Sequence, residues 1–173
     1  MGNLINQFWR LCTFRAGPED LPYSSQLFVL VLVGWVAVQG VLTQLQTQLT
    51  LAQVLGTQTI ALGTILLGVG IALMFKQLLT RWLQTAMALV GVDILLSLVS
   101  TPVLLFNRGA EAPSTVTSLM FLLLVSWQLA AHSFIYHRAL NIGPFLGLAM
   151  AFTFMVCGYL FIITLMPGAV AAA

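Results

Sequence analysis

Charge is what this sequence has least of. Six Lys and Arg and four Asp and Glu are spread over 173 residues, 6% of the chain, while 60% of it is hydrophobic. Soluble domains carry roughly 25% charged residues, so this chain could not cover a water-facing surface. Its basic residues stand singly, with no run able to track a phosphate backbone, which excludes nucleic acid as a partner. Cysteine is equally sparse. Cys12 and Cys157 lie near opposite ends of the chain and offer neither a disulfide framework nor a metal-ligand spacing. The sequence also lacks HExxH, GxSxG, CxxC and GxxxxGK[ST], and no span holds two carboxylates. Glu19 and Asp20 are adjacent, but consecutive side chains point in different directions. Neither enzyme chemistry nor a cofactor or metal is expected. Residues 1–22 hold no apolar run of signal-peptide length, so the N-terminus is expected to be retained.

What the chain does have is long apolar runs, each near the roughly 20 residues a membrane crossing requires. They fall at Gln26 to Val41, extendable to Leu45, then Leu51 to Phe75, Trp82 to Phe106, Thr117 to Ile135, and Ile142 to Leu165. Ahead of them, Leu4, Ile5, Phe8, Leu11 and Cys12 recur at helical spacing between Asn3 and Phe14, opposite Asn3, Asn6, Gln7 and Arg10. This pattern predicts a short amphipathic helix in the membrane surface, with Trp9 and Phe14 at its edges and Arg10 and Arg15 reaching toward headgroups. Gly17 and Pro18 stop it. The expected architecture is therefore all-α: residues 1–22 as interfacial helix and polar turn, 23–166 as a five-helix transmembrane bundle, and 167–173 as a short tail.

The connecting segments divide by charge. Gln44, Gln46 and Gln48 make a neutral first loop, and Asn107, Arg108, Gly109, Glu111 and Pro113 make the third. Alternating the spans puts Arg10, Arg15, Lys76, Arg81 and Arg138 on one side and Arg108 on the other. Cytoplasmic loops carry the Lys and Arg excess, so the N-terminus is expected in the cytoplasm and the C-terminus on the far side.

Asp93 interrupts the third span about 12 residues beyond Arg81, roughly 18 Å into the membrane. An ionised carboxylate there costs at least roughly 2.5–3.5 kcal/mol, so it must face the bundle interior, find a partner or be protonated. Gln128 and His132 lie one turn apart on one face of the fourth span, roughly 15 and 9 Å from Arg138. A cluster of Asp93, Gln128 and His132 is geometrically open. It would act either as a proton or ion relay or as a polar clamp between two helices, worth about 0.6–2 kcal/mol per contact. Pro102, preceded by Ser97, Ser100 and Thr101, is expected to kink the third span, with the hydroxyls satisfying freed backbone groups. Thr64, Gly68 and Ala72 form one small-residue stripe and Gly143, Gly147 and Ala151 another, both expected to pack helices within one chain. Trp35, Trp82, Trp127, Tyr136 and Tyr159 read as interfacial or packing aromatics.

The segment Arg15-Ala16-Gly17-Pro18-Glu19-Asp20-Leu21-Pro22-Tyr23, placed just before the first of five closely spaced spans, resembles the five-span family of Ypt/Rab-interacting proteins, the YIP family, and its bacterial relatives. That resemblance, together with the compactness of the chain and the absence of any long loop, implies a bacterial inner-membrane protein. A trafficking role with small GTPases is not carried over, because the order of the motif residues differs. The first functional expectation is a multi-pass scaffold or accessory protein in the lipid bilayer, binding a membrane-protein partner or its own copies. Trp9, Arg10, Arg15, Glu19, Asp20 and Arg138 would form its cytoplasmic contact surface. The second is a small proton-coupled transporter or channel built on Asp93, Gln128 and His132.

Overall fold

The computed structural model describes residues 2–46, 49–106 and 114–167. Gln48, the loop residues Asn107, Arg108, Gly109, Glu111 and Pro113, and the tail from 168 onward lie outside the described residues. Among those described, every regular element is helical. Helix α1 (Gly2–Cys12) leads through a 3-10 turn (Pro18–Asp20) to α2 (Ser25–Gln46), α3 (Leu51–Phe75), α4 (Trp82–Phe106), α5 (Thr115–Leu140) and α6 (Pro144–Leu165). Helices α2 to α6 are each long and apolar enough to cross a membrane, giving the expected multi-pass bundle. Their ends shift by a few residues. α5 runs on past Ile135 because Tyr136, Ala139 and Leu140 are still buried in the bundle. α6 starts at Pro144 rather than Ile142, since proline suits the first helical position.

Polar side chains fix the helix starts. Thr50 and Gln53 form a reciprocal capping box on α3, with the Thr50 N–H donating to Gln53 Oε1 at 2.9 Å. The Ser114 hydroxyl accepts from the Thr117 N–H at 3.1 Å to cap α5. At the other end of the bundle, the chain reverses through three left-handed residues, Phe14, Gln77 and Asn141, at φ 59°, 57° and 50°. In each reversal an N–H reaches back five residues, from Arg15 to Arg10, Leu78 to Leu73 and Ile142 to His137, satisfying carbonyls that the helix end would orphan. Lys76, Arg81 and Arg138 cluster around these turns.

α4 is the centre of the bundle. Every residue from Thr85 to Asp93 is buried, which requires neighbours on all sides, and α1, α2, α3 and α5 supply them. Ala86, Ala88 and Gly91 keep this stretch slim enough to be surrounded. Polar ties hold the ring: Trp82 Nε1 donates to the Leu66 carbonyl at 3.2 Å, and Gln39 Nε2 to Ser97 Oγ at 2.9 Å.

The amphipathic helix ends two residues before the Asn3 to Phe14 pattern does, and protein covers its apolar face except at Ile5. Phe8, Leu11 and Cys12 are buried, while Ile5, Trp9 and Arg10 face outward. The Phe8 ring lies where a Cβ on Gly91 would come within 2.2 Å of it. Trp127 Nε1 donates to the Cys12 carbonyl at 2.8 Å, and Gln84 Nε2 to the Leu21 carbonyl at 2.7 Å. The N-terminal segment is thereby tied to α4 and α5.

The small-residue stripes pack within the chain. Gly147 leaves room for the Ser133 carbonyl of α5, 2.6 Å from where its Cβ would sit, and Ala151 is buried beside it. Gly68 lies under the Phe154 ring of α6, Ala72 packs against the core, and the Thr64 hydroxyl turns back to the Ile60 carbonyl. Gly143 is the exception. It caps α6 from outside, exposed, with open space where a Cβ would be, and takes no part in the stripe. Pro102 lies inside an unbroken α4. The Ser100 and Thr101 hydroxyls both donate to the Ser97 carbonyl, at 2.8 and 2.9 Å, rather than to the Leu98 carbonyl that Pro102 deprives of its donor.

The docking of α1 makes a testable demand on Gly91. Gly91→Ala should cost about 1–3 kcal/mol of stability through overpacking against Phe8, read as a lower thermal midpoint in detergent. Phe8→Ala in the same chain should recover part of the loss. An unchanged midpoint in Gly91→Ala would mean that α1 does not pack on α4 in this register.

Candidate functional site

Asp93 sits 11 positions into α4, roughly 16 Å along its axis. Its Oδ1 accepts from Gln128 Nε2 at 2.9 Å and lies 2.9 Å from His132 Nε2. All three residues singled out from the sequence therefore meet at one oxygen. The continuation of α5 to Leu140 explains how. Counted from that end, His132 and Gln128 lie roughly 12 and 18 Å deep, bracketing Asp93. One turn of α5 thus presents both partners to a single carboxylate. Asp93 is 6% and His132 7% exposed.

The contact is suited to holding a proton. A carboxylate can only accept, so Nε2–H donates when Asp93 is ionised; when the proton moves to Asp93, its O–H donates to Nε2. The same two atoms stay bonded either way. Gln128 contributes a fixed neutral donor, so part of the carboxylate's hydrogen-bonding need is met without a second charge.

Beside the Asp93 contact, α5 lines a small cavity of about 90 Å³ against Ile65 of α3 and Phe154 and Met155 of α6. Gln128, His132 and Tyr136, spaced four residues apart along one face, supply its polar wall. The volume has room for a few water molecules. The Tyr136 hydroxyl is fully buried and has no hydrogen-bond partner among the described residues, and a group in that position is normally satisfied by protein or water. Tyr136 read as a packing aromatic; the signal that it belongs here is its four-residue spacing from His132. The two rings are in edge contact, with centroids 6.2 Å apart.

Cys12 is the other member that sequence reasoning missed. Burial pushes its thiol up to about 11, and the Asp93 carboxylate adds to the shift, which marks the end of α1 as close to this site. Nothing in the spacing of Cys12 announces that proximity, because it depends on α1 folding back onto α4.

The expected cytoplasmic contact residues divide in two. Glu19 and Asp20 are used internally: Glu19 pairs with Arg138, and the Asp20 carboxylate accepts from the Gly17 N–H at 2.8 Å. Both side chains of the Glu19–Arg138 pair are nearly half exposed, which limits its worth to at most about 1 kcal/mol. Trp9, Arg10 and Arg15 are exposed. Among the described residues no three of His, Cys, Asp and Glu gather as a metal site would require. Comparison with protein-family models, with curated proteins and with solved structures finds no match to this chain.

Proposed function

We propose that this multi-pass membrane protein handles protons, as a small proton-coupled transporter or channel whose titrating site is Asp93 with His132. The observation that carries this reading is the 2.9 Å contact of Asp93 Oδ1 with both His132 Nε2 and Gln128 Nε2, buried deep within the spans. Ionisable groups at that depth are costly and by default mark ion or proton pathways. A structural clamp needs only the hydrogen bonds. The adjoining cavity, with the Tyr136 hydroxyl and His132 on its wall, is what a clamp does not need and a proton route does. Loading a proton onto the pair removes a charge or adds one, and either change alters the α4–α5 contact on which the bundle turns.

A second reading rests on a different observation. Trp9, Arg10 and Arg15 project from a helix that is itself docked to the bundle, a rigid platform of the kind a scaffold or accessory protein presents to a membrane-protein partner or to its own copies. Under either reading the resemblance to the YIP family, the bacterial inner membrane and a cytoplasmic N-terminus remain proposals, supported by the Gly17 to Tyr23 segment and by the basic residues gathered at one end.

In proteoliposomes the native protein should give a pH-dependent flux, and Asp93→Asn should abolish it while leaving expression and thermal midpoint near native. Flux unchanged in Asp93→Asn, or none from any reconstituted native preparation, would remove the proton reading. The platform reading makes a separate demand. Trp9→Ala combined with Arg10→Gln and Arg15→Gln should release a co-purifying membrane protein or dissociate a homo-oligomer, and retention of every contact would count against it.

A further inference from the structure

At the end of the bundle where the chain reverses, Arg81, His137, Arg138, Asn141 and Glu19 line a recess of about 300 Å³ that neither reading above uses. Three of the five side chains, Arg81, Arg138 and Asn141, bring N–H donors to it. Arg81 enters no ion pair among the described residues. It stands at the N-terminal end of α4, where the helix dipole adds positive potential. Arg138 gives one nitrogen, Nη2, to Glu19 and retains other guanidinium donors. His137 Nδ1 is held by the Ile142 carbonyl, which orients the ring and leaves Nε2 as its remaining nitrogen. Asn141 owes its place on the wall to its left-handed backbone, a conformation asparagine tolerates better than most residues.

Two guanidinium groups and an amide around one carboxylate make a donor-rich site with a net positive charge. Arginine pairs bind tetrahedral oxyanions through forked, charge-assisted hydrogen bonds. The recess lies at the ends of the spans, the depth at which phosphate groups of a bilayer are found. We infer that this recess binds a phosphate group, carried either by an anionic phospholipid headgroup or by a soluble phosphate compound. Arg81 and Arg138 hold its oxygens, and Glu19 is the internal competitor that an arriving anion displaces from Arg138. Occupancy would join three elements: the 3-10 turn carrying Glu19, the start of α4 and the end of α5.

The test is thermal unfolding of the full chain in lipid-free detergent, titrated separately with phosphatidylglycerol, phosphatidylcholine and inorganic phosphate at constant ionic strength. The expected result is stabilisation by phosphatidylglycerol and not by phosphatidylcholine, with apparent affinity falling about tenfold or more in Arg81→Gln/Arg138→Gln. Stabilisation by inorganic phosphate as well identifies a soluble source, and its absence identifies the lipid headgroup. Glu19→Gln removes the competing charge with little change of shape and should tighten binding, which keeps the proposal testable if the arginine variants fold poorly. Stabilisation that phosphatidylcholine reproduces, that survives intact in the double arginine variant, or that appears with none of the three probes would overturn the site.

Discussion

A carboxylate in the middle of a membrane has to be answered, and the rest of this bundle is arranged around the answer. Asp93 costs at least roughly 2.5–3.5 kcal/mol if left ionised in hydrocarbon. The cost is met by two side chains of α5 converging on one oxygen at 2.9 Å. That convergence fixes the rotation and axial register of α4 against α5 together, because Gln128 and His132 lie one turn apart and a slip of a single residue along α5 would lose both. Apolar packing in lipid has no comparable power to select one register, since acyl chains compete with leucine on equal terms.

With α4 committed to the centre, the small residues around Asp93 acquire their purpose. Gly91 admits Phe8, so α1 can close over the face of α4 that no span covers, and Trp127 reaches from α5 to hold the last carbonyl of that helix. Cys12 is carried to the site by the same docking. Gly147 and Ala151 bring α6 close enough to α5 to build the wall of the cavity that Gln128, His132 and Tyr136 share. One polar contact, one helix cover and one small cavity therefore form a continuous structure from the N-terminal segment to the last span.

Much of this was legible from residue order alone. The spans followed from apolar run length, and counting depth along two helices from their basic ends left a meeting of Asp93 with Gln128 and His132 open, to be decided by helix rotation. What was not legible needed information that depth and periodicity do not carry. The amphipathic pattern of α1 is the same whether its apolar face meets lipid or protein, so its docking on Gly91 was hidden. The left-handed turns at Phe14, Gln77 and Asn141 carry no glycine to announce them. Sequence position also cannot reveal that Glu19 pairs with Arg138 and that Asp20 caps Gly17. Gly143 matched a small-residue spacing but falls outside the helix whose face that spacing describes.

The central claim is that a direct polar contact between Asp93 and His132 joins α4 to α5. Solid-state NMR of the protein in lipid bilayers, with nitrogen-15 in histidine and carbon-13 in the aspartate carboxyl, measures it directly. Strong dipolar transfer between His132 Nε2 and the Asp93 carboxyl carbon is the result the account predicts. Absence of transfer in a preparation where the helices are otherwise intact would place the two residues apart and contradict it.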